Sequence, residues 1–223
     1  MFIVNRTGSA VLLLAATLIT QVVIAQDSLA DRRVVGEFSQ GKLEGWQEKS
    51  FSGHTEYRLV EQDGRQVLRA VSHAAASGYA REIRIDLNKT PYLNWSWKIV
   101  APLQGLQEKT RAGDDYAARI YVVLEGGIFF WDTRALNYVW CGSQPVGSSW
   151  PNAFSDHAVL LAVESGSEHA GHWQQYKRDL RQDLKDYLGV TPDFIDAVAI
   201  MTDTDNSGRN ATAYYGDIWL SAE

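Results

Sequence analysis

The residues best equipped for chemistry lie in Asp203-Thr204-Asp205-Asn206-Ser207-Gly208, which crowds side-chain oxygens into one short turn. The D-x-D-x-S-G spacing fits the opening half of a calcium loop, with Asp203, Asp205 and Ser207 as oxygen donors and a glycine after them. The far end of such a loop needs a bidentate glutamate. Tyr214 stands there instead, so the EF-hand form is excluded. Three readings stay open: a simpler calcium site, a seat for a polar ligand such as a sugar hydroxyl, to which Asn206 would contribute, or a turn whose side chains bond to its own backbone. Calcium is the one cofactor these residues suggest.

A second set runs Gly113-Asp114-Asp115-Tyr116-Ala117-Ala118-Arg119-Ile120-Tyr121. Taken as a strand from Asp115 onward, it puts Asp115, Ala117, Arg119 and Tyr121 on one face, because side chains alternate along a strand. Such a row suits a sugar, whose hydroxyls or acidic substituent take charge-assisted hydrogen bonds while a ring covers a pyranose face. The plainer alternative is a salt-bridged strand face behind an acidic turn at Asp114. Adjacent Asp114 and Asp115 do not make an acid/base pair, since neighbours on a strand point apart. Trp131, Tyr138, Trp140 and Trp150 lie in a stretch from Gly126 to Asn152 rich in Gly, Asn, Ser and Pro, and are expected to be partly exposed. Trp95, Trp97 and Trp219 sit in alternating patterns and are expected in the core.

Other chemistries find little support. Cys141 is the only cysteine, which rules out an intrachain disulfide, and its place directly after Tyr138-Val139-Trp140 suits a buried inert thiol. His169 and His172 have a spacing near that of metal ligands but no third His or Cys nearby. The chain has no G-x-S-x-G, no H-E-x-x-H, no phosphate-cradling glycine loop and no dinucleotide fingerprint.

The elements that must position these residues are mostly strands. Tyr57 to Val60 and Gln66 to Ser72 flank Glu61-Gln62-Asp63-Gly64-Arg65, where Asp-Gly marks a hairpin turn. Further strands are expected at 80–87, 92–100, 116–124, 136–141, 157–164, 197–202 and 211–221. Two of these, 197–202 and 211–221, would form ribbons joined by the 203–208 turn. In the 92–100 strand, Leu93, Trp95, Trp97 and Ile99 alternate with Asn94, Ser96 and Lys98, which predicts one greasy face and one wet face. From Trp173 the apolar positions Tyr176, Leu180, Leu184, Tyr187 and Leu188 recur every three or four residues, predicting one amphipathic helix over about 173–188 that stops at Gly189 and Pro192. The expected fold is mainly β, a jelly-roll-like β-sandwich with that single helix.

The chain opens with Arg6 and then an apolar run from Ala10 to Ala25 ending in small residues, the pattern of a secretory signal peptide cleaved after Ala25. Residues 26–36 are expected to be a flexible lead-in and 37–223 a single β-sandwich domain. The protein would then be periplasmic or secreted, with no membrane insertion once the signal is removed. The formal net charge is −6, and there is no basic run, which argues against nucleic acid as a partner.

The mature chain resembles a family of bacterial exported domains of unknown function, DUF3047. The resemblance rests on Leu93-Asn94-Trp95-Ser96-Trp97-Lys98, on 114–121, on Tyr138-Val139-Trp140 and on Ala199 through Gly208. It implies a β-rich exported domain similar in outline to carbohydrate-binding jelly rolls, and it carries no activity. The leading expectation is therefore a glycan-recognising protein that binds a poly- or oligosaccharide through Asp114, Asp115, Arg119, Tyr121, Tyr138, Trp140, Asp203, Asp205 and Asn206. Two alternatives stand beside it. One is a glycan-cleaving hydrolase or lyase of the same fold, using Asp115 with Glu125 or Asp203 if the two carboxyls come within about 5–10 Å. The other is a cell-envelope scaffold whose aromatic stretch 126–152 docks on an unknown protein partner.

Overall fold

The core is built by strands that expose one apolar face each and turn it toward a second sheet. The structure, a computed structural model, describes residues 32–124 and 134–223. The signal segment, Glu125 and Trp131 lie outside the described residues. Thirteen strands occur among them: β1 (Arg32–Gly36), β2 (Trp46–Ser52), β3 (Glu56–Gln62), β4 (Arg65–His73), β5 (Ala76–Asp86), β6 (Tyr92–Ile99), β7 (Arg119–Leu124), β8 (Arg134–Cys141), β9 (Ser149–Pro151), β10 (Ala158–Ser165), β11 (Gln174–Asp179), β12 (Phe194–Met201) and β13 (Asn210–Ser221). One α-helix, α1 (Leu180–Leu188), interrupts the series. The β1 strand falls where the sequence suggested a lead-in.

Sheet 1 has the order β11-β6-β13-β4-β3, with β1 also paired to β13; sheet 2 has the order β2-β5-β12-β7-β8-β10-β9. Apart from the β1–β13 pair, β8 and β10 run parallel and the other pairs antiparallel. This is the expected mainly β sandwich of jelly-roll type. Leu93, Trp95, Trp97 and Ile99 of β6 meet Ile120 and Val122 of β7, Leu136, Tyr138 and Trp140 of β8, and Val198 and Ile200 of β12 between the sheets. Trp95 stacks on Tyr138 at 5.1 Å and on Tyr176 at 5.0 Å between ring centroids. Each large side chain taken fully out of water contributes about 1.5–3 kcal/mol, so this layer of rings replaces what a disulfide would do elsewhere. No helix among the described residues is long and apolar enough to cross a membrane.

The β3–β4 hairpin turns through Asp63 and Gly64, both at positive φ (54° and 74°), as the Asp-Gly signal predicted. Three expectations need correction. The helix covers only the second half of the predicted span, because Gln174–Asp179 pairs antiparallel with β6 and closes that edge of sheet 1. The helix starts where the Asp179 side chain accepts from the amides of Arg181 and Gln182. The polar face of β6 is not wet, since Asn94, Ser96 and Lys98 are buried beneath neighbouring side chains. Finally, β12 and β13 are not two ribbons of one hairpin. They belong to different sheets, and the 203–208 turn crosses between them.

Register matters most in β13. A bulge between Tyr215 and Ile218 shifts the alternation by one residue, so Tyr215, Ile218 and Leu220 all point into the core. Gly216 lies in the bulge, where a Cβ would sit 2.2 Å from the Ser96 Oγ as that hydroxyl now stands. Without the bulge, Trp219 would follow Tyr215 inward, as expected from the sequence. With it, Trp219 is half-buried on the outer face of sheet 1, level with Asn94.

Candidate functional site

The expected acidic site assembles, but as an interior clamp. β7 begins at Arg119, so Asp114 through Ala118 form a loop instead of extending the strand, and only Arg119 and Tyr121 of the predicted row share a strand face. Beside the first residues of β7, β12 ends at Met201 and delivers Asp203. Arg119 donates from Nε to Asp203 Oδ1 at 2.9 Å and from Nη2 to Asp203 Oδ2 at 2.5 Å. The same guanidinium donates to the Asp114 carbonyl and, at 3.2 Å, to the Tyr121 hydroxyl, and it lies 4.3 Å from the centre of the Tyr116 ring. Asp203 also accepts from the Tyr116 amide at 3.3 Å, and its own amide donates back to the Tyr116 carbonyl.

Asp115 holds the turn from the other side. Its Oδ1 accepts from the Asn206 amide and from Asn206 Nδ2, both at 3.2 Å, and its Oδ2 accepts from the Ser207 amide at 2.7 Å. Asn206 Nδ2 also donates to Asp205 Oδ1 at 2.9 Å. Asp114, Asp115, Arg119 and Asp203 are all at most 4 % exposed, whereas Asp205, Asn206 and Ser207 are half-buried. Burial pushes the carboxyls of Asp114, Asp203 and Asp205 above the usual range, and Asp203 reaches about 8 although Arg119 opposes the shift.

Ligand atoms of Asp115, Asp203 and Asp205 lie within 4.8 Å of one another, close enough to share a cation. All three carboxylates already have partners: both oxygens of Asp203 face Arg119, both oxygens of Asp115 accept from N–H groups, and Asp205 Oδ1 accepts from Asn206. Of the expected calcium set Asp203, Asp205 and Ser207, only Asp205 and the Ser207 hydroxyl, which has no hydrogen-bond partner among the described residues, stand clear of the guanidinium. A guanidinium in that position is the cation the carboxylates surround.

Tyr138 and Trp140 do not join the cluster. They occupy alternate positions of β8 that point between the sheets, where Tyr138 donates to Asp183 Oδ2 at 2.6 Å and Trp140 donates to the Gly166 carbonyl at 3.0 Å. Both are at most 1 % exposed, and Trp150 is buried with Tyr116, Val139, Cys141, Leu160 and Ala162 in a second small core. Loop-like composition misled the expectation of exposure, because β8 is a central strand of sheet 2. Cys141 is buried and free, and burial pushes its thiol up. His169 faces Glu164 at 3.2 Å and joins no metal-ligand group among the described residues.

The outer face of sheet 1 carries the rings that the acidic cluster lacks. Register puts Lys98 level with Tyr214, Tyr214 with Arg69, and Arg69 with Arg58. The neighbouring rows set Ser96 beside Gln175, and Asn94 between Lys177 and Trp219. Tyr92, Trp173, Tyr214 and Trp219 are half-buried, neither core nor fully exposed. Trp173, just before β11, donates from Nε1 to Asp63 Oδ2 at 2.8 Å, and the same oxygen accepts from Lys98 Nζ at 2.5 Å. These bonds, first that from Lys98 and then that from Trp173, lower the Asp63 carboxyl from its usual value. The signal for this face was present in the Asn94-Ser96-Lys98 alternation and in Gly216, but without the bulge Tyr214 and Trp219 fall on opposite faces.

The structure is similar to the glycoside hydrolase domain of Endo-D from Streptococcus pneumoniae R6, with TM-score 0.43 and 12% identity over 80% of this chain; the chain spans only 22% of that one. It is also similar to a variant of a family 29 carbohydrate-binding module, with TM-score 0.40 and 10% identity over 86% of this chain and 91% of the other. A third similarity is to the xyloglucanase domain of NopAA, an effector from Sinorhizobium fredii in complex with cellobiose, with TM-score 0.44 and 9% identity over 81% of this chain and 95% of that one. No curated protein matches the chain. The model of a protein family of unknown function, DUF3047, matches residues 44–219, and the chain belongs to that family.

Proposed function

We propose that this chain is an exported, glycan-recognising β-sandwich that binds a poly- or oligosaccharide across the outer face of sheet 1. The observation that carries the proposal is the placement of Tyr92, Trp173, Tyr214 and Trp219 on one sheet face, with the exposed Gln175 and Lys177 beside them. A sugar ring has apolar C–H faces and a polar rim. Aromatic faces remove the former from water while amides, hydroxyls and ammonium groups bond the latter. The signal-like segment 1–25 would deliver the protein to the periplasm or the medium. The Asp203–Arg119 cluster then serves binding only indirectly, by fixing the loop that leads into β13.

Cleavage of the glycan by Asp115 and Asp203 has little to recommend it. A general acid or nucleophile needs a carboxyl that faces substrate, and these two are buried against a guanidinium and backbone amides. A scaffold role through 126–152 is also weak for the described part of that stretch, because Tyr138, Trp140 and Trp150 are buried.

Isothermal titration and affinity electrophoresis against a panel of soluble polysaccharides test the proposal. At least one member should bind, and Tyr214→Ala should weaken it about tenfold, the equivalent of ~1.4 kcal/mol for one lost ring contact, with melting unchanged. Absence of binding to every member, or a Tyr214→Ala variant that binds as well as the parent, would sink it.

A further inference from the structure

On the basis of the proposed glycan-binding face, we infer that its ligand is an acidic polysaccharide whose sugars carry carboxylate or sulfate groups. The juxtaposition behind this is a cation beside each of three rings. The Arg65 guanidinium lies 3.8 Å from the centre of the Trp173 ring, the Lys98 ammonium 5.2 Å from that of Tyr214, and the Lys177 ammonium 4.8 Å from that of Tyr92. These cations lie over the ring faces, so a sugar packed at the edge of the Trp173 or Tyr92 ring has the Arg65 or Lys177 group within reach of a substituent on its rim, whereas Lys98 is buried and held by Asp63.

The charges on this face are not balanced internally. Lys98 is paired with Asp63, and Arg58 with Glu56 at 3.0 Å. Arg65, Arg69 and Lys177 have no carboxylate partner among the described residues. Arg69 is the most telling of the three. It stands half-buried between Tyr214 and Arg58 across the strands, and its Nε is buried with no hydrogen-bond partner among the described residues. A planar guanidinium with unused donors beside a ring matches a carboxylate or sulfate better than it matches a neutral hydroxyl. The setting sharpens the point. The whole chain carries a net charge of −6, so a stripe of unpaired cations on the ring-bearing face runs against the general field of the molecule. A neutral glycan would need the rings and the amides but not these three charges.

The test compares polygalacturonate and alginate (carboxylate), dextran sulfate (sulfate) and xyloglucan and mannan (neutral) by affinity electrophoresis and titration with the purified protein. A carboxylated or sulfated polysaccharide should bind at least about tenfold more tightly than either neutral one, and binding should weaken as salt is raised to ~0.5 M. Arg69→Gln and Lys177→Gln, at a half-buried and an exposed surface position, should each weaken the acidic ligand about fivefold or more, and Arg69→Gln should leave binding of any neutral ligand unchanged. Preference between uronate and sulfate polymers identifies the group recognised. Neutral polymers bound as tightly as acidic ones, or acidic binding untouched by both substitutions, overturns this inference and leaves glycan recognition standing. No binding to any polymer, neutral or acidic, overturns glycan recognition itself.

Discussion

Asp203 makes the stability of this protein depend on pH in a predictable direction. Its carboxyl is completely enclosed, and burial with Asp114 and Asp115 nearby lifts it from 3.8 to about 8 despite the opposing pull of Arg119. A folded-state value above the unfolded one means that the folded chain binds more protons between the two values, so stability is fully present below the lower value and falls as pH rises toward 8. The slope for one such group is at most about 1.36 kcal/mol per pH unit, so between pH 5 and pH 7 the unfolding free energy should fall by at most about 2.7 kcal/mol from this group, and by less to the extent that the Arg119 guanidinium on both oxygens keeps the carboxylate ionised. Asp114 and Asp205 are shifted upward too and act in the same direction. The perturbation is Asp203→Asn, which keeps the shape of the protonated acid and cannot titrate. It costs stability overall, because an amide N–H then faces the Arg119 donors, but it should remove most of the slope. Urea denaturation followed by tryptophan fluorescence at pH 5, 6 and 7 reads both quantities. A parent protein that gains stability from pH 5 to pH 7, or a variant with the parent's slope, would refute the reasoning.

Two further outcomes follow from the geometry. A Cβ on Gly142 would lie 2.4 Å from the Leu103 carbonyl oxygen and 2.9 Å from its carbon, and the buried Glu108 carboxylate accepts from the amides of Gly142 (2.6 Å), Ser143 and Gln144, so Gly142→Ala must displace backbone and loosen these bonds together. It should cost about 3 kcal/mol, or roughly 6–12 °C in melting temperature for a domain of this size, checked by calorimetry. Millimolar calcium should leave the melting temperature unchanged, because Arg119 is already the cation for Asp203. A rise matching the ~2.7 kcal/mol expected at a hundred times the dissociation constant would instead place an ion among Asp115, Asp203 and Asp205.

Much of the fold was legible because its signals are local. Alternation in Leu93 to Ile99, the Asp63-Gly64 turn and the stop at Gly189 each depend on a few neighbouring residues, and the structure follows them. The false helical period over Trp173 to Asp179 has a physical cause. Tyr176 points into the core while Trp173, just outside the strand, lies over the outer face, and two contacts on opposite sides of a sheet mimic one helical stripe. Composition also failed for Tyr138 and Trp140, since Gly, Ser and Pro around a strand say nothing about whether that strand is central or at an edge.

From its residues alone the chain determines a β-sandwich without disulfides, the strand-bounding turns, and the convergence of an acidic turn with Arg119 as a candidate. Tertiary structure alone decided that this convergence is sealed and that the rings lie elsewhere. Burial is a property of what packs over a residue from distant parts of the chain, and the face on which Trp219 lies depends on one extra residue at Gly216, which moves each later side chain of β13 to the opposite side of the sheet.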